Sequence, residues 1–441
     1  MLQARLGALL RRRAGAAGRR GTRSESRLAW LDVLRGVAAL LVVYEHVGYV
    51  AMPHVRDFTN TWVSAGDAGV FLFFAVSGYI IPASLERKGN VRGFWISRIF
   101  RLYPLWICVY VTVIVFRYEG WYNSHDRVIH SHPAAALLGH GTMLQDLLGV
   151  YNSINVMWSL SYEMAFYLLV TCLFVAGLHR FSAQVAVLFG LAALVLGQTL
   201  PMLVITDRLG MTKASAAAAA ILLVGVAGAT SRRRLLALPA GVLLGATALA
   251  LLALNSRLWP WQSLLIPAYM FLGTAVYRAE RGQIKAWKAG AAAVAVLGCA
   301  VGSALIGMLH PGPHAGTFDG NRQYVCSLAL AVAVFGAGFV LRQAHFPTPL
   351  QWVGRISYST YLVHPVLGAV FARQLRKYGG AHAAPSHQIG VFLLFVTAVL
   401  ALGSVTYLVI EAPSQRLGHR LAAHRPTPTP LPGRVGTDAA A

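Results

Sequence analysis

About a dozen stretches of this chain run close to twenty residues with scarcely a charge, and no other feature limits its folding as strongly. A bilayer core is crossed by about 20 mostly apolar residues in a helix. Windows of that kind lie near 30–50, 67–84, 99–116, 157–177, 184–204, 214–230, 235–254, 263–278, 288–308, 324–341, 355–372 and 388–410. The window at 214–230 is alanine-rich and 263–278 is short, so ten to twelve spans are expected. Hydrophobic residues make up 56% of the 441 and charged residues 12%, against roughly 45–50% and about 25% in soluble domains. A charged shell cannot be drawn around that much apolar surface, so lipid is the solvent. The expected fold is all-α, a polytopic membrane bundle.

The charges then orient it. With the N-terminus in the cytoplasm, 27 of the 38 Lys and Arg residues fall on inside segments, ten outside, and Arg35 within the first span. The positive-inside rule produces such an imbalance when helix count and direction are right, so both termini are expected to be cytoplasmic and the bilayer to be the plasma (inner) membrane. The net charge of +23 would suggest nucleic acid in a soluble protein. Here the basic residues are spread over the inner ends of many helices, which excludes that class. The expected organisation is a basic cytoplasmic arm over 1–27, a membrane domain over 28–412 and a cytoplasmic tail over 413–441, disordered from about 425 where Pro is frequent. The arm is not expected to belong to a cleaved signal peptide, because the apolar stretch after it is too long and carries Asp32 and Arg35. Cys108, Cys172, Cys299 and Cys326 fall in apolar windows without disulfide or metal-ligand spacing and read as small hydrophobes.

Each ionisable residue within a span costs roughly 2.5–3.5 kcal/mol on insertion scales, so each calls for a partner or a task. The first span, WLDVLRGVAALLVVYEHVGYV, carries Asp32, Arg35, Glu45 and His46. Eleven residues bring Arg35 and His46 onto one face about 16 Å apart, and Asp32 falls near the same stripe, one turn from Arg35. In NVMWSLSYEMAFYLL, Glu163 is expected about 9 Å deep from the outer side and His46 about 6 Å deep, so the two are expected to meet. A carboxylate against an imidazole fixes its tautomer and raises its basicity, as a general base requires. In FWISRIFRLYPLW, Arg98 and Arg101 are placed at the start of the third helix, where a phosphate would reconcile two guanidinium groups with the positive helix end. His364 in ISYSTYLVHPV is expected near mid-membrane, and Glu411 in VIEAPSQR is expected to pair with an arginine. The outer stretch 117–156, with Trp121, His125, His130, His132 and His140, reads as an acceptor-facing lid whose histidines lack metal-ligand spacing.

Six segments in order, LDVLRGVAALLVVYEH at 31–46, GVFLFFAVSGYII at 69–81, SRIFRLYP at 97–104, WSLSYEMAFYLL at 158–169, GRISYSTYLVHPV at 354–366 and IEAPSQR at 410–416, resemble the acyltransferase-3 family of integral membrane O-acyltransferases. The stretch 180–340 adds only a hydrophobic pattern. The resemblance implies that His46 is the essential first-helix histidine, Arg35 the arginine of LDxLRG, Arg98 and Arg101 the paired arginines, and Glu163 the acid of WSLSxE. It implies a cytoplasmic acyl-CoA donor, commonly acetyl-CoA, and transfer to a hydroxyl of a sugar, polysaccharide or lipid-linked acceptor, without metal. In that reading Arg35, Arg98, Arg101 and Asp32 belong to the donor's phosphate end. His46, oriented by Glu163 or Glu45, deprotonates the acceptor, or itself carries the acyl group. The competing class is a carrier or flippase whose intramembrane charges line a path.

Overall fold

In the computed structural model, residues 29–121, 131–310, 316–377 and 385–423 are described; the arm over 1–27, His125, His130 and the tail from 425 lie outside them. Those residues are helical apart from short connections. In chain order the helices are α1 (Ala29–Ala51), α2 (Pro53–Asn60), α3 (Ala65–Lys88), α4 (Val91–Tyr118), α5 (Pro133–Thr142), α6 (Trp158–Val175), α7 (Ser182–Leu196), α8 (Val204–Leu209), α9 (Met211–Ala229), α10 (Arg234–Leu254), α11 (Pro260–Glu280), α12 (Ala286–Leu309), α13 (Phe318–Val340), α14 (Thr348–Arg355), α15 (Ser357–Lys377), α16 (Pro385–Thr406) and α17 (Ala412–Ala423). Asp32 at the start of α1 meets Gly354, and Ser359 just beyond bonds Glu411 after the end of α16, on one side of the bundle, the near face; Glu45 toward the end of α1 meets Gly66 at the start of α3, at the far face.

Among the described residues, ten helices are long and apolar enough to cross a membrane. The alanine-rich window expected to be weak qualifies as α9. Two other long helices, α11 and α15, do not. Protein, not lipid, surrounds α11 and the first half of α15. Of the 21 residues of α11, 15 are buried, and the helix packs between α3, α7 and α12. Ser357, Ser359, Thr360, Leu362 and His364 of α15 are all at most 1% exposed.

Glycine lets these inner helices touch. A Cβ on Gly78 of α3 would lie 1.8 Å from the Met270 carbonyl oxygen of α11, and one on Gly273 would lie 2.3 Å from that of Ala75. Small residues at such crossings bring backbones together where no hydrophobic force drives association. Likewise Gly354, at the end of α14, sits where a Cβ would meet the Asp32 carbonyl at 1.8 Å. That contact seats the start of α15 beside Asp32 and Arg35. The last long helix ends in a π-helical segment, Tyr407–Glu411, a rare form that concentrates at functional sites. The helix continues without a break into α17, which packs on α4.

Candidate active site

Three helices each carry one polar group near the near face and another deeper. On α1 these are Arg35 and His46; on α6, Glu163 with Tyr167, and Asn155 just before the helix; on α15, Tyr358 with Ser359, and His364. The groups converge into two poles.

The first pole gathers guanidinium groups. α4 starts at Val91, where the Asn90 side chain accepts from the Arg92 amide. Arg98 and Arg101 therefore lie seven and ten residues inside the helix, not at its N-terminus, and the helix dipole gives an anion there no help. Arg98 is buried, its guanidinium 5.2 Å from the Phe94 ring centre and 5.4 Å from that of Tyr167, and its Nε has no hydrogen-bond partner. Arg35 and Arg101 are within charge reach of each other and both feel Glu163 and Glu411. Asp32 stands behind Arg35, near Arg355 as well, as a counter-charge. Glu411 accepts from Ser359 Oγ at 2.6 Å and from Gln415 Nε2 at 2.9 Å, so its hydrogen bonds go to neutral groups where an arginine partner was expected. Tyr358 donates to the Leu102 carbonyl at 2.7 Å and ties α15 to α4.

Glu163 belongs to this pole and not to His46. Tyr167 donates to it one turn along, and Arg35, Arg98 and Arg101 surround it electrostatically. The expected contact with His46 fails on depth. What stands level with His46 is Asn155, in a 3₁₀ turn (Asn155–Met157) ahead of α6. Glu163 follows eight residues on, about 12 Å further along a helix.

The second pole is built around His46. Its Nδ1 is 2.9 Å from the Val42 carbonyl. A carbonyl only accepts, so in the neutral ring Nδ1 carries the proton and Nε2 keeps its lone pair. Nε2 faces Asn155 Nδ2 at 3.4 Å. The ring of His364 stands edge-on to it, centroids 5.1 Å apart, with Nδ1 bound to the Thr360 carbonyl at 3.1 Å and Nε2 buried without a partner. Two side chains on separate helices thus bring their Nε2 atoms into one small volume, that of His46 against the Asn155 amide and that of His364 without a partner. Tyr361 fixes the frame. Its hydroxyl donates to the Val156 carbonyl at 2.8 Å and meets Ser159 Oγ at 2.7 Å, holding the turn that presents Asn155.

Glu45 turns away from His46. It accepts from Arg56 at 2.7 Å and from the Gly66 amide at 3.3 Å, clamping α2 and the start of α3 to α1. The backbone of Val42, not a carboxylate, orients the imidazole. His140, expected in an acceptor-facing lid, is buried and structural: it meets the Ala136 carbonyl at 2.9 Å and accepts from the Ser153 amide at 3.1 Å. Among the described residues no three His, Cys, Asp or Glu side chains converge as for a metal ion.

A membrane-spanning bundle that encloses a guanidinium pole and an imidazole pole among its helices defines a multi-pass membrane protein with two polar clusters in its interior. The chain belongs to the acyltransferase-3 family: the family's acyltransferase domain matches residues 28–408. It is 26% identical over 196 residues to a Bacillus subtilis protein named as a peptidoglycan O-acetyltransferase, covering 40% of this chain and 28% of that one. It is 27% identical over 152 residues to the peptidoglycan O-acetyltransferase of Listeria monocytogenes (32% and 23%). To the O-acetyl transferase of Shigella phage Sf6 it is 32% identical over 106 residues (22% and 31%). The matched stretches thus cover less than a third of each of these relatives. No solved structure matches.

Proposed function

We propose that the protein is an O-acyltransferase of the plasma (inner) membrane that moves an acetyl group from acetyl-CoA, entering at the near, cytoplasmic face, to a hydroxyl of a carbohydrate acceptor. The observation that carries this is the hydrogen bond from His46 Nδ1 to Val42, which leaves Nε2 as a base eleven residues, or about 16 Å, beyond Arg35 on the same helix face. Arg35, Arg98 and Arg101 would hold the phosphates of the donor, with Glu163, Glu411 and Asp32 limiting the repulsion among them. Its thioester arm would lie between α1, α6 and α15 and end near His46.

The step balances with these groups alone. The acceptor oxygen attacks the thioester carbonyl as its proton passes to His46 Nε2. The new carbon–oxygen bond forms, the carbon–sulfur bond breaks, and the proton leaves with the thiolate as coenzyme A. Asn155 Nδ2 lies beside the reacting centre as an amide donor for the developing oxyanion. The relatives named as O-acetyltransferases support the chemistry, and the basic near-face ends of the helices support the orientation. Replacing His46 with Ala removes a group worth roughly 10²–10⁴ in rate as a general base. Membranes carrying H46A should then fail to pass label from acetyl-CoA to any envelope saccharide while the protein remains inserted. Wild-type labelling by that variant would overturn the proposal.

A further inference from the structure

A cavity of about 540 Å³ opens on the far face beside the imidazole pole, inside the 300–1,000 Å³ range of small-molecule sites. Asn155, which meets His46, is part of its wall. The other groups combine two chemistries. Trp158 and Tyr151 offer flat rings, while Asp67, Asp146, Asn152 and Gln262 offer hydrogen-bonding oxygens and amides. Asp67 stands in the first turn of α3, whose amide end offsets its charge. Arg257 is the cation in this wall, and its guanidinium is stacked 4.0 Å from the Tyr151 ring centre. A second recess of about 490 Å³ adjoins it, sharing Asp67 and Gln262 and extending the same lining past Thr317 and Gln323.

We propose that this double recess is the acceptor subsite, and that it takes an uncharged saccharide of more than one unit. The proposal rests on the acyl-transfer reading above and adds to it where the acceptor sits and what it is. Alternating rings and hydroxyl-binding groups match a sugar, whose C–H faces stack on aromatic rings while its hydroxyls bond to carboxylates and amides. Glu45 is matched by Arg56, so the two aspartates against the one cation, Arg257, leave the wall acidic on balance, which sets the field against a uronate or a phosphorylated sugar. A unit seated on Trp158 is one turn from Asn155 and so places a hydroxyl toward His46 Nε2. The second recess receives the adjoining unit, with Gln262 contacting both.

The full-length protein in detergent tests this with a neutral N-acetylglucosamine tetramer and an oligogalacturonate of equal length. Binding is measured by calorimetry without donor, and transfer with labelled acetyl-CoA. The wild type should bind the neutral tetramer and reject the anionic one. D67N and Q262A should each weaken binding roughly tenfold, the loss of one hydrogen bond to a polar or charged group, and W158A by at least as much. KM for acetyl-CoA should stay unchanged. Gln262 is half-buried at the cavity rim, so Q262A keeps the test valid if D67N does not fold. Failure of the wild type to bind the neutral tetramer, equal binding by all variants, or equal binding of the uronate overturns the subsite. Binding that follows this pattern while no acetyl group moves would instead overturn the acyl-transfer reading and leave the subsite standing; transfer indifferent to Asp67, Gln262 and Trp158 would do the reverse.

Discussion

Changing Tyr361 to Phe separates the role of the Asn155 turn from the role of packing. The phenol ring packs 5.6 Å from Phe73, and a Phe there keeps that contact. Only the hydroxyl is lost, with its bonds to the Val156 carbonyl at 2.8 Å and Ser159 Oγ at 2.7 Å. Ser159 Oγ still reaches the Val156 carbonyl at 3.2 Å, so the carbonyl is not orphaned. Two neutral hydrogen bonds at about 0.5–1.5 kcal/mol each give a stability loss of about 1–3 kcal/mol, which for a chain this long lowers Tm by only a few degrees. The effect on rate is of similar size in free energy but reads as a large factor. Val156 neighbours Asn155, whose amide is 3.4 Å from His46 Nε2, and a displacement of about 1 Å at a reacting group costs on the order of 10²-fold. Y361F should therefore lose about 10- to 100-fold in kcat. KM for acetyl-CoA should not change, because the arginine pole lies about 12 Å further along α6. Steady-state transfer in proteoliposomes, paired with thermal unfolding, reads both. A wild-type kcat with the expected loss of Tm, or a raised KM with normal kcat, would refute the positioning of Asn155 by Tyr361.

Two further outcomes are expected. In G78V the new Cβ would occupy the place of the Met270 carbonyl, so α3 and α11 must part; little monodisperse protein should survive size-exclusion chromatography, whereas G290V, with nothing within 4 Å of its Cβ, should behave as wild type. Burial raises the Asp146 carboxyl above its ordinary value, opposed by the Asn152 hydrogen bond. The folded protein then holds this proton more tightly than the unfolded chain, so stability falls as pH rises from about 4 toward the folded value. Tm of the wild type should drop across that interval more than Tm of D146N, and parallel curves would show that the carboxyl is not buried at a cost.

Helical periodicity carries information along one helix, and that is where the sequence was legible. The spacing of Arg35 and His46 places them at opposite poles of α1 as counted, and the apolar windows mark every long helix. Depth between helices was not legible. Counting from an assumed start put Glu163 level with His46, but the chain spends Asn155–Met157 in a 3₁₀ turn first, and Asn155 takes that level. The third-helix arginines were placed at a helix end because the apolar run starts late, whereas Asn90 starts the helix a further two turns earlier. Glu45 stood beside His46 in sequence and so points elsewhere in space, about 100° around the helix. His364 carried a signal, an ionisable residue in a span, but nothing in its own segment named His46 as its neighbour. The cavity wall could not be read at all, since Asp67 at the start of α3, Asp146 in a 3₁₀ turn and Gln262 at the start of α11 are far apart in the chain.

The enclosure of α15 also bears on how the protein is made. A segment with serine, threonine and histidine along its inner half gains little by partitioning into lipid alone. The surface that receives it is supplied by α4 and the Asn155 turn, which precede it in the chain, and by α16, which follows it. Because the other long helices except α16 precede it in the chain, a nascent protein holds them in the bilayer before the one carrying His364 can enter. Lesions in those earlier helices would then surface as a late helix stranded outside the membrane, and would be read by quality control as a failure of biogenesis before any loss of catalysis could be measured.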